Sequence, residues 1–158
     1  MAWIQPVYDR TQADIDSALQ KIKEWISADQ PETYELKGCL NVTDINRIEE
    51  NIQFLADTLL SLDYEPNVLC KAWQTSGLPT LEDFSRILNN VQALIDSYYQ
   101  QEDAPEVPYE MLNYQEINDV ELNLQKIKEL VDCMILFSKK SGTFQSGSLF
   151  FLPKQRGG

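Results

Sequence analysis

Carboxylates are the side chains in this sequence best suited to catalysis, because two acids held at a fixed separation can act as general acid and general base. The candidates are Glu49, Glu50, Glu110, Glu121 and Glu129. Helical periodicity puts them mostly on the solvent sides of their helices. No carboxyl among them is predicted to lie in an apolar pocket that would raise its pKa into the range of a general acid. We therefore expect that the protein is not an enzyme.

Histidine is absent from the 158 residues, and the three cysteines, Cys39, Cys70 and Cys133, lie far apart. The missing histidine excludes Ser–His and Cys–His nucleophilic pairs and mixed Cys/His zinc sites from this sequence. An odd number of widely spaced cysteines is not typical of a disulfide framework or of a paired-cysteine metal site. We expect buried thiols in a reducing compartment, with no metal and no other cofactor.

A polar pattern recurs four times along the chain, at spacings typical of helical repeat units. In each copy a Thr or Asn stands three residues before an Asp or Glu. The pairs are Thr11 and Asp14, Asn41 and Asp44, Thr80 and Asp83, and Asn113 and Glu116. This spacing is close to a capping box, in which the first side chain accepts from the third amide of a helix and the acid accepts from the cap amide. Each pair therefore predicts the start of a helix.

Apolar residues follow each cap at alternating spacings of three and four, which places them in one stripe along a helix. The stripes predict four main helices, near 11–26, 42–61, 80–99 and 113–138. Such narrow stripes are not stable alone, so the helices must pack against one another. We expect an all-α bundle built from related capped helix units and spanning residues 1–140, with Trp25 of the first stripe in the core.

Asparagine recurs beside the stripes of the last three units, at Asn51, Asn90 and Asn123. A buried amide costs free energy unless it is paired. We expect these side chains to be buried and bonded to the backbone of a connector; a ladder of ligand-binding amides is the alternative. Arg47 and Arg86 also align, one turn after an acid with which each could pair.

The C-terminal segment 141–158 has no helical stripe. Ser146-Gly147 separates two stretches of β-forming residues, which predicts a small hairpin or extended tail over 141–153. Its apolar residues are Phe144, Leu149, Phe150, Phe151 and Leu152. A small hairpin is barely stable alone and its edge is open to further strands. We expect this segment to contact a protein partner, either another subunit or a second copy of the chain.

Charge is distributed unevenly. The formal net charge is −12, and residues 133–158 carry four basic groups and no acid, so the preceding residues carry −16. This body would repel nucleic acid phosphates, so we expect no nucleic acid partner. The alternative function is an acidic DNA mimic that inhibits a protein by occupying its basic groove. No stretch is apolar and long enough to predict a membrane span, and the first residues do not resemble a signal peptide, so we expect neither a membrane protein nor secretion by a signal peptide.

Taken together, the repeats resemble a helical module found in tail-associated and other structural proteins of prophages in Gram-positive bacteria. The resemblance covers most of the chain and concerns capping and packing. The stretches that carry it are DRTQADID (9–16), KGCLNVTDINRIEENIQFLAD (37–57), GLPTLEDFSRILNNVQALI (77–95), LNYQEINDVELNLQKIK (112–128) and SGTFQSGS (141–148). It implies a non-enzymatic tail or baseplate component that acts through contacts with other phage subunits and enters the virion after synthesis in the cytoplasm.

Overall fold

Helices account for most of the residues that the computed structural model describes, which are 2–28 and 35–140. Their bounds are α1 Gln12–Ala28, α2 Val42–Leu60, α3 Leu81–Ser97 and α4 Tyr114–Lys140. The described residues contain no strand, so the prediction of an all-α domain with four main helices is confirmed, with every boundary within two residues of the expected one. The hairpin predicted at 141–153 and its five apolar residues lie outside the described residues.

The core lies among α2, α3 and α4, which all pack against one another. Their stripes are buried as predicted, and side chains such as Ile48, Leu94 and Leu124 have no exposed surface. Each fully buried side chain of this size contributes ~1.5–3 kcal/mol relative to an exposed one. The three stripes together therefore hold the domain.

The first stripe is buried less deeply than the repeat predicts. In α1 only Ala18 is buried, and Trp25 is half-buried rather than in the core. The first turn of α1 instead packs closely against Gly38, where a Cβ atom would overlap the backbone carbonyl of Asp14. Thus α1 is held partly by the short segment before α2.

All three core helices run in the same direction. Between α2 and α3, the non-helical residues 69–73 pass from Asn90 to Asn46, towards the N-terminal ends of both helices. Between α2 and α4, residues 4–10 run from Asn51 to Asp44 and from Glu121 to Asn118, again towards both N-terminal ends. Parallel helices need connectors about as long as themselves, and residues 61–80, which join α2 to α3, run back along the groove between these two helices.

No helix of the described residues is both long enough and apolar enough to cross a membrane.

Candidate functional site

The four capping pairs lie at the four helix starts. Three of them make the reciprocal bonds of a capping box: Thr11 with Asp14, Thr80 with Asp83, and Asn113 with Glu116. In these three pairs the acid accepts from the cap amide at 2.8, 3.0 and 3.0 Å, respectively. At α2, the Asp44 carboxylate accepts from the Asn41 amide at 2.9 Å. The Asn41 side chain differs, because its Nδ2 donates to the carbonyls of Leu36 and Cys39. The capping residues therefore fix the helix starts.

The N-terminal segment is tied into the groove between α2 and α4 by three polar side chains. Asn51 Oδ1 accepts from the Ile4 amide at 3.0 Å, and its Nδ2 donates to the Ile4 carbonyl at 2.7 Å. Glu121 accepts from the amide of Val7 at 2.7 Å. Asn118 makes the same pair of hydrogen bonds with Arg10: its Oδ1 accepts from the Arg10 amide at 3.3 Å, and its Nδ2 donates to the Arg10 carbonyl at 3.0 Å. The backbone of a segment without regular structure is thereby satisfied by side chains of the bundle.

The connector before α3 is held in the same way in the groove between α2 and α3. Asn90 bonds both backbone groups of Leu69, at 3.0 and 2.8 Å. Asn46 bonds both backbone groups of Trp73, at 2.8 and 3.0 Å. Between them, Glu49 accepts from the Lys71 amide at 3.3 Å and from the Trp73 indole N–H at 3.2 Å.

The two arrangements use the same helical positions, and we call each one a backbone clamp. One helix supplies an Asn and a Glu three residues later: Asn46 and Glu49 of α2, or Asn118 and Glu121 of α4. The next helix supplies an Arg and an Asn four residues later: Arg86 and Asn90 of α3, or Arg47 and Asn51 of α2. The Arg holds the Glu, and the Glu and both Asn residues hold the segment.

The glutamates of the clamps are buried, so the prediction that such acids face solvent is wrong for Glu49 and Glu121. Arg47 donates two bonds to Glu121 at 2.9 and 2.7 Å, and Arg86 does the same to Glu49 at 3.0 and 2.5 Å. Paired guanidinium and carboxylate forks of this kind compensate each other's charge where water is excluded. The missed indication in the sequence is the repeated Asn-x-x-Glu at 46–49 and 118–121.

The clamp between α2 and α4 also contains a second ion pair. Arg10 reaches Asp44 at 3.0 Å and Glu121 at 3.1 Å, while Arg47 reaches Asp44 at 2.6 Å. Burial opposes ionisation of Asp44, but the bonds from Asn41 and Arg47 and the charge of Arg10 outweigh it and hold its pKa below the usual value. Two arginines and two carboxylates therefore form a buried cluster without net charge, which suits a structural role.

Asn123 behaves differently from its two equivalents. It is buried, but its Nδ2 bonds to the Asp119 carbonyl of its own helix at 2.9 Å, and its Oδ1 has no partner. The prediction that it binds a connector is wrong. Three other clamp positions differ in this copy, because Ser85 and Leu88 of α3 replace the Asn and the Glu, and Asp119 of α4 replaces the Arg. The third copy of the clamp is therefore missing.

An open groove lies where that third clamp would be. It has a volume of about 540 Å³ and runs between α3 and residues 107–112 of the connector before α4; we call it the α3 groove. Its side chains are mainly apolar: Phe84, Leu88, Val107 and Met111 are buried or half-buried, and Leu81, Tyr109 and Leu112 are exposed by 70, 95 and 63%. Carbon-rich surface exposed around a groove is typical of interaction sites.

The connector is held to α4 rather than to α3. Gln101 donates to the Lys126 carbonyl at 3.0 Å, Lys126 pairs with Asp103 at 2.5 Å, and the Leu112 amide donates to Glu116 at 2.6 Å. Among the described residues, no hydrogen bond joins 107–112 to α3. The gap between them therefore follows from the loss of the clamp.

The cysteines are more accessible than predicted. Cys133 is exposed, and Cys39 and Cys70 are half-buried. Burial, together with the nearby Glu49 carboxylate, raises the pKa of the Cys70 thiol to about 12. No group of three metal-binding side chains occurs in the part of the chain that the structure describes.

No protein-family model, curated protein or solved structure matches this chain.

Proposed function

We propose that this protein is a non-enzymatic structural or assembly component of a phage or prophage, associated with the tail or baseplate, and that it acts through contacts with other proteins. The observation that carries the proposal is the contrast between its polar and apolar residues. The buried carboxylates Asp44, Glu49 and Glu121 are all engaged by arginines and backbone amides that hold the fold. Three apolar side chains of the α3 groove, Leu81, Tyr109 and Leu112, are instead exposed by 63% or more.

The phage context rests on the resemblance of the five sequence stretches to the prophage helical module. Those stretches contain the caps and the clamp residues, which start the helices and hold the non-helical segments in the grooves of the bundle. A rigid bundle with an open apolar groove suits a subunit that joins others, because little conformational entropy is lost when such a surface binds.

The test is affinity capture with the products of the genes next to its own. The purified full chain is compared with the variant Leu81→Gln/Tyr109→Ser, which removes apolar surface beside the groove. The matched control is Leu60→Gln/Leu69→Gln, which changes two exposed leucines elsewhere. Capture of a tail or baseplate protein by the wild type and the control, but not by the groove variant, is the expected result. Neighbouring genes unrelated to phage particles, or equal capture by all three chains, would contradict the proposal.

A further inference from the structure

The three grooves of the bundle are equivalent in position but not in occupation. In the grooves of α2 with α3 and of α2 with α4, a non-helical segment is bonded to the clamp residues. On α3, Ser85 and Leu88 replace the clamp pair, and among the described residues no hydrogen bond joins 107–112 of the connector to this helix. The bundle therefore binds non-helical chain in two of its grooves, and the third is lined mainly by apolar side chains to which no described segment is clamped.

The dimensions of the α3 groove fit a short extended segment. Its lining on α3 extends from Leu81 to Gln92, which at 1.5 Å per residue is about 16 Å. Five residues of extended chain cover about the same length. The run Ser148–Leu152 of the C-terminal segment has that number of residues, and all but the serine are apolar.

The charges around the groove and the tail are complementary. The groove lining contains one carboxylate, Glu110, and no cation, and Glu82 and Glu106 are its neighbours in sequence. The apolar run of the tail is followed by Lys154 and Arg156 without any acid. A basic, apolar segment on an acidic, apolar surface gains from both burial and charge.

The length of the chain favours a second copy as the source of the segment. The groove lies near the first turns of α4, because residues 107–112, which line it, lead directly into α4 at Tyr114. From Lys140 the middle of the groove is about 30 Å back along the bundle. Leu149 follows Lys140 by nine residues, which reach this far (~31 Å) only when the chain is almost fully stretched. A neighbouring copy is not subject to this limit.

We propose that the α3 groove binds residues Ser148–Leu152 of a neighbouring copy of this chain, so that copies associate through tail and groove. This inference rests on the proposed function and specifies one of its contacts. Two copies that exchange tails reciprocally form a two-fold dimer, and copies that bind head to tail form a ring or a row.

The experiment uses the full chain with the photo-crosslinker benzoylphenylalanine placed at position 151, prepared in two isotopic forms that are mixed before irradiation. Cross-links between the two isotopic forms should join position 151 to residues 81–92 or 107–112. The variant Leu81→Gln/Tyr109→Ser should reduce their yield about tenfold, as expected for loss of central apolar contacts. The control Leu60→Gln/Leu69→Gln should leave the yield unchanged.

Cross-links confined to single copies, cross-links to another surface, or no cross-links at all would each overturn the inference. Capture of neighbouring gene products in the same preparation distinguishes the two proposals. If capture succeeds while the inter-copy cross-links fail, the tail contact is wrong and the proposed function stands. If both fail, the proposed function fails as well.

Discussion

Replacing Asn51 with alanine should destabilise the protein more than the same replacement of Asn123, although both side chains are almost fully buried at equivalent helical positions. Asn51 makes two bonds to the backbone of Ile4, at 3.0 and 2.7 Å. Each such bond contributes ~1 kcal/mol, and its loss leaves the Ile4 backbone groups unpaired. The expected cost of Asn51→Ala is therefore about 2 kcal/mol, plus a cavity term.

Asn123→Ala removes only one bond, to the Asp119 carbonyl, and also removes a buried Oδ1 that has no partner. Burying an unpaired polar atom costs ~1–3 kcal/mol, so its removal offsets the lost bond. The cavity term is similar for both variants. The difference between them should be about 2 kcal/mol, which corresponds to ~4–8 °C in Tm for a chain of this size.

The assay is thermal and urea unfolding followed by circular dichroism. A third variant, Asn90→Ala, should lose as much stability as Asn51→Ala, because the native Asn90 also makes two bonds to backbone, those of Leu69. Hydrogen exchange provides a local measurement, since the Ile4 amide should lose protection in Asn51→Ala and keep it in the other two. Equal losses of stability at Asn51 and Asn123, or unchanged exchange at Ile4, would refute the account of the clamp.

Three further predictions concern the helix contact, acid and thiols. Gly38→Ala should lower the free energy of unfolding by ~1–3 kcal/mol, because the new methyl group overlaps the backbone of α1. Gly77→Ala is the control and should change this free energy little, because the nearest atom to its Cβ is 3.4 Å away. A urea titration in which Gly77→Ala is the less stable variant would contradict this packing. Folding lowers the pKa of Asp44, so its contribution to the free energy of unfolding is present above the unfolded pKa of 3.8 and is lost as pH falls through the folded pKa. The urea concentration at the unfolding midpoint should therefore decrease below about pH 4. A midpoint that increases in this range would contradict the prediction. Modification by a thiol reagent should be fastest at the exposed Cys133 and slowest at Cys70, whose pKa is raised to about 12; peptide mapping that shows Cys70 modified first would be inconsistent with the structure.

The helices and their stripes could be predicted because their determinants are local. The two residues of a capping pair, such as Thr80 and Asp83, are three positions apart and bond within one helix. The residues of a stripe, such as Ile45, Ile48 and Ile52, are three or four positions apart, and they share a face because of the helical period. The same pattern cannot give helix direction, because caps and stripes are identical in parallel and antiparallel bundles.

The clamps could be predicted only in part because their partners are distant in sequence. Asn51 bonds a residue 47 positions away, and Glu121 bonds one 114 positions away. The recurrence of Asn51 and Asn90 indicated buried, bonded amides, but periodicity alone placed Glu49 on the solvent side. Asn123 shows the limit of reasoning from repeats, because its missing partner depends on Ser85 and Leu88 of another helix.

The most direct test of the account is sedimentation velocity of the full chain over a wide range of concentration. The wild type should associate beyond the monomer as concentration rises, and association should weaken at high salt because the tail is basic and the groove acidic. The variant Leu81→Gln/Tyr109→Ser should remain monomeric at concentrations where the control Leu60→Gln/Leu69→Gln associates. A wild type that is monomeric throughout, or a groove variant that associates as strongly as the control, would contradict the role of the α3 groove as a contact surface.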